Sequence, residues 1–179
     1  MKGTTAMLDL GKEVNWTEVF RVIDSVDTLK RNQTRPLRTE FVELAIDKHS
    51  NGKLKYIGDA ADGMDFEGSD GLRYECKMQG TIFQPRVPHS ASVILKNHRG
   101  RNLGVPPKTF DKMILIDTGK RKVGVVDFEQ LSMKENDSNV TCRVDDQSII
   151  NFVAEKVPSY PSRRFDMEKV IFDAAYKVL

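Results

Sequence analysis

Cysteine is scarce in this chain of 179 residues: Cys76 and Cys142 are too few and too isolated for a disulfide framework or a zinc site, so reduced thiols in a cytoplasmic protein are expected. Long apolar runs are also missing. The longest, such as residues 113–116, fall far short of the roughly 20 residues that cross a bilayer, and the first ten residues hold no apolar signal segment. Neither secretion nor membrane insertion is expected. Charge of one sign is lacking too, with 28 Lys and Arg against 26 Asp and Glu, a formal +2 that by itself announces no nucleic-acid partner. No internal repeat or low-complexity segment interrupts the chain, which excludes solenoid and collagen-like classes. What remains is 39% hydrophobic and 30% charged residues, enough for one packed core over residues 1–179 as a single domain.

Apolar periodicity places two helices within residues 16–48. Trp16, Val19, Phe20, Ile23 and Val26 recur at three and four, and Asn15 with Glu18 suits a capping box. Pro36 suits a first helical turn, Leu37, Phe41, Leu44 and Ala45 mark one face, and Ser50, Asn51 and Gly52 end the second helix. The period then changes. Residues 53–57 read as a short strand, and residues 72–79 alternate, with Leu72, Tyr74, Cys76 and Met78 opposite Arg73, Glu75, Lys77 and Gln79. Ser69, Asp70 and Gly71 mark a turn, giving a hairpin over 53–79. Residues 80–110 are rich in proline and basic residues and read as a loop of the length usually reserved for function. Residues 112–117 and 122–128 flank a turn at 118–121; a strand near 140–144, a short helix at Ile149, Ile150, Phe152 and Val153, and a terminal helix around Met167 to Val178 complete the 111–179 segment. The order predicts an α/β fold, a central mixed β-sheet flanked by helices.

The near-neutral total conceals a segregation. Residues 59–75 hold six acids and one base, whereas residues 77–122 hold ten bases and two acids. Glu75-Cys76-Lys77 is the one acid-x-Lys in the chain, and on a strand its two charged side chains project from one face about 7 Å apart. A turn about Ser69 and Asp70 sets Asp65 beside Tyr74 and diagonal to Glu75, so that two carboxylates converge. Such a pair suits Mg²⁺, which takes oxygen ligands and commonly one or two protein carboxylates plus substrate phosphate. Lys77 is placed to orient an attacking water or offset transition-state charge. The bland alternative is a solvated strand face. Glu67, Asp59 and Asp62 read as solvated neighbours, and Tyr74 as core.

The string Gly63-x-Asp65 … Gly71-x-x-Tyr74-Glu75-x-Lys77 resembles the signature of the PD-(D/E)xK nuclease superfamily, and within it the PvuII-type restriction endonucleases, over about fifteen residues. Met64 stands where the superfamily has proline. The resemblance implies a restriction-endonuclease-like core and Mg²⁺-dependent cleavage of double-stranded DNA by a type II restriction enzyme. It implies Asp65 and Glu75 as metal ligands and Lys77 as catalytic lysine. His89 occupies the region where the PvuII-type enzymes carry DNA-reading histidines, and within the DNA-facing loop 80–110 Lys96, His98, Arg99 and Arg101 become candidates for phosphate or guanine contacts; Arg163 and Arg164 are a further phosphate candidate. A homodimer is expected from two-fold symmetric cutting of a palindrome, with the apolar face of the first helix as the candidate contact. The rivals are a repair or junction-resolving nuclease with the same chemistry, and a non-catalytic nucleic-acid-binding module.

Overall fold

A computed structural model describes residues 6–26, 35–58, 64–80, 82–83, 90–94, 109–133, 139–143 and 148–152. The fold is α/β, with a six-stranded mixed sheet and a separate three-stranded sheet. The helices are α1 (Leu10–Glu13), α2 (Trp16–Val26) and α3 (Arg35–Lys48). The strands are β1 (Leu54–Tyr56), β2 (Phe66–Gly68), β3 (Arg73–Gln79), β4 (Ser90–Ile94), β5 (Lys112–Asp117), β6 (Lys122–Asp127), β7 (Leu131–Met133), β8 (Asn139–Arg143) and β9 (Ile149–Ile150). The larger sheet runs β1-β2-β3-β5-β6-β9 and the smaller β4-β8-β7. No helix among the described residues is long and apolar enough to cross a membrane.

By its contacts the chain divides into two compact units, residues 1–58, 68–71 and 152–179 in one and 59–67 with 72–151 in the other. In the first, the apolar stripe of α2 is the core: Trp16, Val19, Phe20 and Ile23 are all buried. Phe152 closes on Phe20 with ring centroids 5.1 Å apart, and Trp16 Nε1 donates to the Leu10 carbonyl at 2.8 Å. These side chains are consumed inside the chain, so the α2 face is not available as the dimer contact that its periodicity suggested. On α3 the buried face is Val42, Ala45 and Ile46, rotated from the expected Phe41 and Leu44, which are only half-buried. Asn15 Oδ1 accepts from the Glu18 N–H at 3.4 Å, a loose N-terminal cap. After α3, Asn51 and Gly52 take left-handed backbone, and buried Ser50 Oγ accepts from the Leu54 N–H at 3.0 Å, steering the chain into β1.

In the second unit β3 lies parallel to β5, and β5 is antiparallel to β6. All six β5 residues are buried, which is why Met113, Ile114, Leu115 and Ile116 form an unbroken apolar run rather than an alternating one. Two expectations fail here. Ile149 and Ile150 form a strand pairing with β6, not a helix. Ser90–Ile94 is also a strand, within the segment expected to be irregular, and it pairs with β8.

The chain leaving β3 is locked to the end of β5. Asp117, fully buried, accepts from the N–H groups of Ile82 at 2.9 Å, Phe83 at 3.0 Å and Lys120 at 2.8 Å. Lys120 Nζ donates to the Phe83 carbonyl, and the Gly119 N–H to the Gly80 carbonyl at 3.1 Å. A β-carbon at Gly119 would lie 2.2 Å from the Gly80 carbonyl oxygen, so backbone would have to move. Gly119→Ala is therefore expected to cost about 2–3 kcal/mol in urea unfolding.

Candidate functional site

The site is built by the hairpin joining β2 to β3. Residues 69–72 join the two strands. The Gly71 N–H donates to the Gly68 carbonyl at 2.9 Å, and Gly71 has φ +79°, a left-handed conformation that glycine adopts without strain. Phe66 therefore pairs with Tyr74 and Glu67 with Arg73. That register is one residue off the one a turn centred on Ser69 and Asp70 gives for Phe66 and Glu67, but it ends there: Asp65 lies at a bend just before β2 and sits beside Tyr74, as expected. The Asp65 N–H donates to the Tyr74 carbonyl at 2.8 Å, and Asp65 Oδ2 accepts from the Cys76 N–H at 2.7 Å. One backbone bond and one side-chain bond thus pin Asp65 to β3.

Lys77 lies two residues beyond Glu75 on one face of β3, and the Asp65 carboxylate, held on the Cys76 N–H between them, acts on the charges of both, so the three side chains converge. Lys77 Nζ donates to Glu75 Oε1. Across the parallel pairing Glu75 is level with Met113 and Lys77 with Leu115, both fully buried. Met113 and Leu115 belong to an apolar cluster with Ile82, Phe83, Phe110 and Val126, and Met64 packs against it. Met64, which stands where the resembled superfamily has proline, thus anchors the backbone leading into Asp65 through apolar contact. The alternative of a solvated strand face does not hold for Glu75, which is only 8% exposed.

That environment moves the titrations. Burial first, then the Glu75 charge, push Asp65 up to about 6; the Cys76 N–H and the Lys77 ammonium pull the other way. For Lys77, burial lowers the value, but the charge and hydrogen bond of Glu75, with Asp65 behind it, outweigh burial and hold it above the ordinary lysine value. Lys77 is a cation across the neutral range.

Two carboxylates against one ammonium leave a negative charge in a partly desolvated place. An oxygen-seeking divalent cation fits that deficit, and the elevated Asp65 titration is the sign of it. Among the described residues no group of three or more His, Cys, Asp or Glu side chains gathers to hold a metal, so a cation here would draw on Asp65 and Glu75 alone of them. Glu67 is exposed and faces Arg73, which is bound to Asp111 at 3.2 Å, and it stays outside the cluster. Tyr74 is core, as expected, and Cys76 is a buried reduced thiol. His89, Lys96, His98, Arg99, Arg101, Arg163, Arg164, Asp59, Asp62 and the terminal helix lie outside the described residues. Asp117 was not singled out by the sequence; its only signal there is an acid ending a strand two residues before glycine.

Comparisons of the chain with family models, with curated proteins and with solved structures find no match.

Proposed function

We propose that this protein is a Mg²⁺-dependent endonuclease of the PD-(D/E)xK type that hydrolyses double-stranded DNA, and specifically a type II restriction enzyme working as a homodimer. The observation that carries the reading is the convergence of Asp65, Glu75 and Lys77 beside an apolar wall, with the Asp65 carboxylate held on the Cys76 N–H between the other two charges in sequence.

Asp65 and Glu75 would hold the cation, which would supply Lewis-acid polarisation of the scissile phosphate. The chain's own residues do the rest. Asp65, tethered to the Cys76 N–H, fixes the distance between the two strands at the point where phosphate would enter. Glu75 holds the Lys77 ammonium in place. Lys77, kept protonated, donates hydrogen bonds and offsets charge on the pentavalent phosphorus rather than accepting a proton. Each chain brings one such cluster among its described residues, so a double-strand break at a palindrome takes two chains.

Digestion of unmethylated supercoiled plasmids with Mg²⁺ or with chelator tests this. Discrete linear fragments that need Mg²⁺, formed without a build-up of nicked circles, are expected of a homodimeric restriction enzyme. Preference for branched duplexes would replace restriction by junction resolution, and no Mg²⁺-dependent cutting of any duplex would overturn the nuclease reading.

A further inference from the structure

Lys77 already holds an oxygen of the pair that would bind the metal. Its Nζ donates to Glu75 Oε1, and Asp65 Oδ2 accepts from the Cys76 N–H at 2.7 Å. One oxygen of each carboxylate is thus engaged by β3 itself, which leaves Asp65 Oδ1 and Glu75 Oε2 for a metal. The Lys77 charge acts on Asp65 as well as on Glu75. Water does little to loosen it. The Lys77 and Glu75 side chains are 27% and 10% exposed, against 84% and 56% in the surface pair of Lys12 with Asp9. An ion pair screened so little keeps most of its attraction, and an entering cation works against it.

The charge balance points the same way. Two carboxylates and one ammonium sum to a single negative charge, so a divalent cation that joins them overshoots neutrality. With two protein oxygens on offer, Mg²⁺ would fill the rest of its octahedron from water and phosphate. A phosphodiester brings both an oxygen and the missing negative charge. Without the ammonium, the two carboxylates and a divalent cation balance by themselves.

We infer that Lys77 is a resident counter-cation of the Asp65–Glu75 pair, which holds down the affinity of the DNA-free protein for divalent cations. The inference rests on the nuclease reading and deepens it, because it gives Lys77 two roles of opposite sign: its loss slows cleavage and tightens metal binding. A lysine that acts on the transition state alone would leave cation affinity unchanged. A lysine that props Glu75 in place for the metal would weaken cation binding when removed.

Binding of Mn²⁺ to the full chain without DNA tests this, followed by loss of the free-ion paramagnetic resonance signal, since carboxylate sites that suit Mg²⁺ also take Mn²⁺. The proteins compared are wild type, Lys77→Met, Lys77→Gln, Lys77→Arg, Asp65→Asn and the double variant Asp65→Asn with Lys77→Met. Lys77→Met and Lys77→Gln should each bind Mn²⁺ about tenfold more tightly than wild type. Lys77→Arg, which keeps the charge, should bind as weakly as wild type, and Asp65→Asn should cancel the gain in the double variant. Mn²⁺ should also raise the thermal midpoint of Lys77→Met by more than that of wild type. Asp65-dependent binding that is equal or weaker in both charge-removing variants overturns the inference, as does a gain in Lys77→Arg equal to that of Lys77→Met. Absence of Asp65-dependent Mn²⁺ binding from every variant would instead sink the cation site and the nuclease reading with it, which separates the two failures.

Discussion

Lys77→Met should lower Mg²⁺-dependent cleavage by roughly 10²–10³-fold while duplex binding stays within a few-fold of wild type. The size follows from what the ammonium does. It is largely buried, held by Glu75 and kept charged, so it meets the developing negative charge with little reorganisation and little competing water. A methionine of similar length keeps the packing along Leu115 and removes only the charge and its hydrogen bonds. Lysine on a solvated strand face would tolerate the change with no loss of rate. Single-turnover cleavage measured beside equilibrium binding separates the two roles, because a residue that merely contacts DNA weakens binding along with rate.

Asp65→Asn should abolish cleavage and make the metal-free protein more stable at neutral pH. In the folded chain Asp65 titrates at about 6 against 3.8 for the ordinary group. Between those values the folded state holds a proton that the unfolded chain has released. Unfolding free energy therefore falls as pH rises through that window, by about 3 kcal/mol in all. The contribution is fully present below the unfolded value and gone above the folded one. Asparagine keeps an oxygen for the Cys76 N–H and carries no charge to repel Glu75. In urea unfolding with chelator, the advantage of Asp65→Asn over wild type should be near zero at about pH 4 and approach about 3 kcal/mol by about pH 7. A constant difference across that range would mean that the two carboxylates do not face each other. Gain of stability with loss of activity is the behaviour of a group kept for its chemistry.

The parts of the fold legible in the sequence are those whose pattern is local. The β5–β6 hairpin is bounded by a basic turn between two apolar runs, and its strands fall where the runs fall. The alternation over β3 likewise placed Glu75 and Lys77 on one face and Tyr74 in the core. What failed depended on distant partners. The one-residue shift of Phe66 and Glu67 against β3 arises because Gly71 adopts left-handed backbone and lengthens the loop, a choice the letters Ser-Asp-Gly do not make by themselves. Ile149 and Ile150 are too short a run to separate helix from strand; the edge of β6 decides it. Ser90–Ile94 opens on small residues without alternation, and it becomes a strand through pairing with β8. Most of the candidate centre was thus readable as spacing, whereas its desolvation was not, because Met113 and Leu115 come level with Glu75 and Lys77 only through a parallel crossover of more than thirty residues.

The central claim is that Asp65 and Glu75 together hold a cation on which phosphodiester cleavage depends. Single-turnover cleavage of plasmid DNA followed against Mg²⁺ concentration, for wild type and Asp65→Asn, tests it most directly. The account predicts a saturable rise for wild type, abolished by chelator, and no rise for Asp65→Asn while that variant remains folded and binds duplex. Cleavage by Asp65→Asn at the wild-type rate and with the wild-type Mg²⁺ dependence would contradict it.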